Sequence, residues 1–444
     1  MSESADDPSL DQLRELMRRR GVSRLLVKFL SPNDNSKNQI YFGGDLGVVN
    51  ILPAGEPQPA TSGSLGEPIF KAPLEFSWLD VSGHAFAAPH AQLILYPQYP
   101  EVRFSGFLRG AEWAPSAHLT VRDEGRVLLL GIGATNAIVG YVAGPESSIA
   151  KELQSPKPKE QLGIFHIVAM RPLPAASDSR ARLLSELCRI HRSGWIQAWR
   201  LQQDGGRKPC NGTNCIGVTL ESELGILSNG RADPDFEGWE VKAHSVANLN
   251  RPGSGAVTLM TPEPTAGFYR DNGVEAFVRR YGYPDKLGRP DRLNFGGVHV
   301  AGVKHRSTGL TLMLDGFDHA TETLLRADGS LALVDDRGIV AAAWPFAKLL
   351  AHWQRKHTRA AYFPGKRSTG PLRAYAYGGD VMLCEGTDFL RLLVAIADGR
   401  VYYDPGIKLE NASGTPVMKR RSQLRIKMSN VRQLYHTAES MSVC

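Results

Sequence analysis

Nowhere in the 444 residues is there an unbroken apolar run of about 18 residues, the least a helix needs to cross a bilayer, so no membrane span is expected. The opening stretch, MSESADDPSL, has neither the basic start nor the apolar segment of a secretory signal, and a cytoplasmic protein is expected. Cysteine is also scarce. Cys188, Cys210, Cys215, Cys384 and Cys444 are too few and too scattered for a disulfide framework, and free thiols are expected. Cys210 and Cys215 stand close together, but no second Cys/His pair has zinc-site spacing. Internal repeats and coiled-coil heptads are absent too.

What is present is ordinary for a globular chain: 42% hydrophobic and 22% charged residues, enough for two or three domains with a sizeable core. The formal net charge of +7 suits a polyanionic partner, because Lys and Arg that neutralise phosphates release condensed counterions.

Residues 9–20 predict a short helix with Leu10, Leu13 and Leu16 on one side. Strand-like runs follow at 24–30, 39–52, 91–96, 117–122 and 126–131, separated by Gly and Pro turns. Many short strands of this kind predict an all-β barrel or sandwich over residues 1–154. Residues 155–174, which begin SPKPKEQL, read as a linker. From 175 to 444 the pattern becomes α/β. Helices are expected at 178–192, 214–227, 272–281 and 343–357. Strands are expected at 237–243, 255–260, 297–303, 309–314, 391–397 and 400–403.

The stretch 214–244, NCIGVTLESELGILSNGRADPDFEGWEVKAH, concentrates the chemistry. Asp235 follows a proline beside a polar hairpin tip. Glu240 and Lys242 are two apart on a strand-like run and share one face, while Trp239 and Val241 face the other way, into a core. Two carboxylates beside a lysine suit phosphodiester hydrolysis. The carboxylates offer hard oxygens to Mg²⁺, and a lysine can position or deprotonate the attacking water and offset charge on the phosphate. Glu221, in the amphipathic run GVTLESELG, could reach the same metal or orient Lys242; Glu223 competes for that role but reads as a solvated helix position. A bare Glu-x-Lys pair is common on exposed strands. The joined pattern of Gly-x-x-Leu-Glu, Leu-Gly, Pro-Asp-Phe and Glu-x-Lys is far more specific.

That pattern resembles the active-site region of the MutH and Sau3AI nucleases and, more closely, of the MvaI/BcnI restriction endonucleases. Val241 stands where Leu is usual. The segments GWIQAWRLQQDGGRKP, RLNFGGVHVAGVKHRSTGLTLMLDGFD and RRSQLRIKMSNVRQLY extend the likeness over about residues 175–444. The resemblance implies a C-terminal α/β PD-(D/E)xK nuclease fold with Glu221, Asp235, Glu240 and Lys242 as the catalytic set and Asp235 and Glu240 on Mg²⁺. It further implies a monomeric type II enzyme of a restriction-modification system, cutting double-stranded DNA at a CC-centre-GG site, foremost CCWGG. A MutH-like repair nickase is the first alternative, and a B3-type DNA-binding regulator without catalysis the second.

Basic residues outside the centre are candidate DNA contacts. Lys419, Arg420, Arg421, Arg425 and Lys427 cluster in KRRSQLRIK, with Arg425 and Lys427 on one face if 423–428 is a strand. Lys304, His305, Arg306, Lys366 and Arg367 are further candidates, each equally readable as a solvated turn. His244 reads as a base or phosphate contact or as a structural residue. In the N-terminal half, residues 24–52 resemble the start of the EcoRII effector domain, a B3-like pseudobarrel that binds DNA, and the likeness covers about residues 20–154. It implies a first polar arm holding Asn33, Asp34, Asn35, Lys37 and Asn38, with Lys28 beside it. A second arm falls within EVRFSGFLRGAEW and makes Arg103, Arg109 and Trp113 candidates.

Overall fold

The computed structural model describes residues 7–32, 39–44, 48–62, 66–99, 101–133, 137–170, 179–212, 214–227, 235–249 and 255–444. The polar arm read at 33–38 lies outside them. The chain divides into two compact units, Met1–Asp178 and Ser179–Cys444.

The first unit is mostly β. Its helix Leu10–Arg19 starts with a capping box between Ser9 and Gln12, which satisfies two backbone donors at the helix start. Leu10, Leu13 and Met17 are its buried residues, while Leu16 is only partly buried against the same cluster. A seven-stranded sheet runs in the order Gln161–Leu162, Phe165–Val168, Val22–Phe29, Val127–Gly133, Ile138–Ala143, Phe76–Leu79, Ala85–Ala87. A five-stranded sheet runs Gln39–Gly43, Glu101–Ser105, Gln92–Tyr96, Pro68–Pro73, Gln58–Thr61. Both sheets are open among the described residues, and no closed barrel forms.

Three local expectations change here. The run 117–122 is not a strand: Ser116–Leu119 is a helical turn that buries Leu119. The strand expected at 39–52 ends at Gly43, and Val48–Ile51 is a short helix. Within the stretch read as a linker, Gln161–Leu162 pairs with Phe165–Val168. The latter adds to Val22–Phe29 through Leu25↔Val168 and Val27↔His166, because alternate apolar residues there have a sheet to cover.

The second unit is built on a six-stranded sheet. Its path is Ile196–Gln197, Ala374–Tyr377, Arg359–Arg367, Asp380–Glu385, Thr437–Ser442, and Glu240–Ser245 pairs in parallel with Arg359–Arg367. One face packs Trp239, Val241, Ala361, Phe363 and Leu383 against Leu183, Leu187 and Ile190 of the helix Ser179–Arg192. Small antiparallel sheets are inserted between the two central strands, among them Thr311–Asp315, Ser330–Val334, Val340–Pro345. The expected helices appear as Cys215–Glu223, Phe268–Tyr281, which is broken by a non-helical Gly273, and Phe346–His357.

Two expected strands do not form as read. The apolar run at 391–397 is helical, Phe389–Ala397, capped by Asp388, with Phe389, Leu392, Leu393 and Ile396 on the buried stripe; a short apolar run fits either period until an N-cap decides. Residues 297–303 contribute only isolated bridges, His299↔Tyr403 and Ala301↔Leu312, beyond the strand Arg292–Gly296. The cysteines also differ from expectation. Cys188 pairs with Cys444, 256 positions away, and Cys210 with Cys215, leaving Cys384 buried and free. Sequence separation hid the first pair, which the fold brings to a Cα–Cα distance of 5.3 Å.

Candidate active site

The approach to the centre is a tight hairpin. Phe236 and Trp239 exchange backbone hydrogen bonds at 2.9 and 2.8 Å, and the two residues between them, Glu237 and Gly238, both have positive φ. That is the backbone a two-residue hairpin loop demands. Glu237 tolerates it while tied to Arg182 by hydrogen bonds of 2.9 and 2.7 Å. Asp235 lies just before this turn, and its Oδ2 accepts the Val241 backbone N–H at 3.0 Å. The turn therefore brings Asp235 back onto the strand Glu240–Ser245 that follows it.

On that strand the period of two holds. Trp239 and Val241 are buried in the core, and Glu240 and Lys242 share the opposite face. Lys242 Nζ donates to Glu240 Oε1 at 2.8 Å. The other oxygen, Glu240 Oε2, is buried with no hydrogen-bond partner among the described residues. A buried charged oxygen without a partner is costly unless a cation meets it.

Glu221 comes from the helix Cys215–Glu223 and feels Lys242, Glu240 and Asp235 electrostatically. Glu223 accepts the Trp199 indole N–H at 2.7 Å and pairs with Arg189 at 3.4 Å, so it is a held structural residue rather than a solvated one.

The charges interact strongly. Burial, then the neighbouring Glu240, pushes Asp235 up to about 7. Burial likewise raises Glu221, with Lys242 opposing. For Glu240 burial also acts upward, but Lys242 and Lys356 outweigh it and the carboxyl ends below its ordinary value. Burial would lower Lys242, yet Glu240 beside it leaves the ammonium raised. His244, one strand step further along the same face, is 6% exposed and pushed down to about 4 by burial, so its imidazole is neutral. It borders a cavity of about 630 Å³ together with Tyr362, Met382 and Met428.

Two neighbours of the centre were missed by sequence reading. Lys356, on the helix Phe346–His357, reaches Glu240 Oε1 at 3.4 Å. His357, fully buried, hydrogen-bonds the Tyr435 hydroxyl at 2.8 Å and the Leu259 carbonyl at 3.0 Å. No spacing rule could find them, since Lys356 lies 116 positions from Glu240.

The residues present suit a hard divalent cation. Asp235 and Glu240 offer carboxylate oxygens, one of them unpartnered, and Glu221 is within electrostatic reach. No group of three or more His, Cys, Asp or Glu forms a metal cage among the described residues. Mg²⁺ needs no such cage, because it commonly takes one or two protein carboxylates and completes its shell with water and phosphate.

The candidate DNA contacts are spread over both units. In the second unit Arg420, Arg421 and Lys427 are exposed, whereas Lys419 is bonded to Glu410 at 2.7 Å and Arg425 to Asp404 at 2.7 Å. Arg425 and Lys427 do alternate with buried Leu424 and Ile426 on the strand Leu424–Lys427. Lys304 pairs with Asp336 at 2.5 Å; His305 is half-buried and Arg306 exposed. Lys366 and Arg367 end the strand Arg359–Arg367. In the first unit Arg109 is exposed, Trp113 packs on Phe86, and Arg103 is bonded to Glu101. Lys28 is only 7% exposed, its ammonium near the Phe29 carbonyl.

The model of the MvaI/BcnI restriction endonuclease family matches residues 184–435. Among solved structures, the restriction endonuclease MvaI bound to its cognate DNA is similar at 19% identity and a TM-score of 0.45, covering 61% of this chain and 100% of that one. MvaI without DNA matches at 19% identity and a TM-score of 0.33, covering 60% and 99%. No curated protein matches the chain.

Proposed function

This chain belongs to the MvaI/BcnI restriction endonuclease family, and from that premise we propose that it is a Mg²⁺-dependent type II enzyme that cuts both strands of a CC-centre-GG site, foremost CCWGG. As a member of that family it is a site-specific deoxyribonuclease. The observation that supports the chemistry is the meeting of Asp235, Glu240 and Lys242, with Oε2 of Glu240 left without a hydrogen-bonding neighbour among the described residues. The target sequence rests on the likeness to MvaI and EcoRII.

In the proposed mechanism Asp235 and Glu240 hold the metal. When bound, Mg²⁺ would supply electrostatic polarisation of the phosphate and acidify its water. The chain's own groups do the rest. Glu240 anchors one donor of the Lys242 ammonium, which has three, leaving others to orient a water and to face the phosphate. Glu221 completes the acidic wall and adds a smaller contribution to that of Glu240 and Asp235 in keeping Lys242 charged. The tight turn 236–239 fixes Asp235 before substrate arrives, so little reorganisation is left for the reaction.

The N-terminal residues 1–154 act in this reading as a B3-like DNA-reading effector domain. It binds a second copy of the target through the arm at 33–38 and through Arg103 and Arg109, and it supplies no catalytic group. The nuclease works as a monomer in the cytoplasm; no described helix is long and apolar enough to cross a membrane. Digestion of a sequenced plasmid with Mg²⁺, followed by sequencing of the ends, tests the proposal. Double-strand breaks at CCWGG are the expected result. Nicks confined to one strand would instead favour a repair nickase, and binding without cleavage a regulator.

A further inference from the structure

The residues found from sequence leave the centre far from neutral: the carboxylates of Glu221, Asp235 and Glu240 face the single ammonium of Lys242. The structure adds a second ammonium. Lys356 Nζ stands 3.4 Å from Glu240 Oε1, the same oxygen that accepts Lys242 Nζ at 2.8 Å. All three side chains are substantially buried, with 22% of Lys356, 15% of Lys242 and 3% of Glu240 exposed.

The two lysines arrive from different directions. Lys242 projects from the strand that also bears Glu240, and Lys356 from the last turn of the helix Phe346–His357. That turn is fastened by its next residue. His357 is fully buried, bonded to the Leu259 carbonyl and to the Tyr435 hydroxyl, which in turn meets the Tyr362 hydroxyl at 2.8 Å. A satisfied buried network of this kind rigidifies what it holds. Lys356 is therefore delivered to Glu240 by a fixed frame, unlike a solvent-swept surface lysine.

We propose that Lys356 is a positioning residue for hydrolysis: together with Lys242 it pins Oε1 of Glu240, which leaves Oε2 turned toward the metal. The inference rests on the reading of Glu240 as a metal ligand. A glutamate has several freely turning side-chain torsions, and one cation alone leaves its carboxyl plane free to swing about the contact. Two cations on one oxygen remove that freedom. The charges agree with this role. With all three carboxylates ionised, as metal binding would require, they and the two ammoniums sum to one negative charge, so a bound divalent cation leaves one positive charge facing the phosphodiester. Without Lys356 the same sum falls to zero, and attraction for the phosphate's developing charge is lost while the metal is repelled less.

The test compares full-length wild type with K356A, K356R and K242A. Plasmid cleavage gives kcat and KM, and Mn²⁺ titration followed by electron paramagnetic resonance, without DNA, gives metal affinity. K356A is expected to lower kcat on the order of 100-fold, the scale for losing one preorganised charge at a transition state, with KM little changed. Its Mn²⁺ affinity should change little, because lost alignment of Oε2 and lost repulsion of the metal oppose each other, and K356R should recover part of kcat. Should K356A fail to fold, K356M keeps the aliphatic stem and takes its place. Cleavage by K356A within about twofold of wild type, far inside that scale, would overturn the inference. Equal loss of kcat in K356A and K356R together with lost Mn²⁺ binding would also overturn it, because Lys356 would then serve only to hold the fold. If wild type itself neither cleaved DNA nor bound Mn²⁺, the functional reading would fall first; if K242A alone were inactive, that reading would stand without Lys356.

Discussion

Asp235→Asn should make the metal-free protein more stable and catalytically dead, and the size of the gain can be worked from the site. Burial and the adjacent Glu240 raise the Asp235 carboxyl from 3.8 to about 7. The folded protein thus keeps this proton up to neutrality, while the unfolded chain loses it near its ordinary value. Between those two values the native state binds more protons than the unfolded state, so this group makes stability fall as pH rises. At about 1.36 kcal/mol per tenfold change in proton affinity, the full penalty above neutrality is about 4 kcal/mol. Asparagine removes the charge and can still accept the Val241 N–H through its carbonyl oxygen, so the turn is kept.

Urea unfolding in EDTA at pH 5 and pH 8 reads the effect directly. At pH 5 the native state still holds the proton that the unfolded chain has mostly lost, so the variant should lead by only about 1.6 kcal/mol. At pH 8 the variant should be more stable by an amount that approaches the full penalty, reduced by any relaxation of the site. Adding Mg²⁺ should narrow the gap by stabilising wild type alone, since a ligand at free concentration L that binds only the native state stabilises it by RT ln(1 + L/Kd). A variant no more stable than wild type at pH 8, or one equally favoured at both pH values, would refute the claim that Asp235 is held in a site unfavourable to its charge.

Other outcomes can be checked alongside. With the one proposed catalytic set, supercoiled plasmid should pass through an early nicked intermediate; direct concerted linearisation would contradict a single centre working on one strand at a time. Removal of residues 1–178, the whole first unit, should leave a nuclease with the same cut site but altered dependence on a second target copy. Loss of all sequence preference in that fragment would make the first unit the primary reader instead. Substituting Arg421 or Lys427, both exposed, by Ala should weaken DNA binding across sequences and lower the salt slope by about one phosphate contact each; unchanged slopes would remove them from the interface.

How much of this was legible in the sequence follows from the range of each interaction. Glu240 and Lys242 could be placed together because a strand repeats every two residues, and Trp239 and Val241 were correctly sent to the core by the same rule. The helix bearing Glu221 was equally visible. The apolar run at 391–397 was not, because its length suits a buried strand as well as a helix and its Asp388 cap shows itself only in three dimensions. Glu223 looked solvated for want of Trp199 and Arg189, which come from other elements. Lys356 and the Cys188–Cys444 pair share that cause: each joins segments more distant than any local period can relate.

The strand Glu240–Ser245 and its parallel partner Arg359–Arg367 are neighbours in space, with Glu240 opposite Ala360 and Lys242 opposite Tyr362. Everything from Ala256 to Pro345 is inserted between them in sequence, including the sheet Thr311–Asp315, Ser330–Val334, Val340–Pro345. The insertion leaves the first central strand and returns through the helix Phe346–His357, which runs straight into the second. Its return is tied down at the point where the metal ligands would sit, by Lys356 on Glu240 and His357 on Leu259 and Tyr435. On the role proposed for Lys356, loosening this attachment at Lys356 or His357 should slow cleavage even though neither residue is a proposed metal ligand.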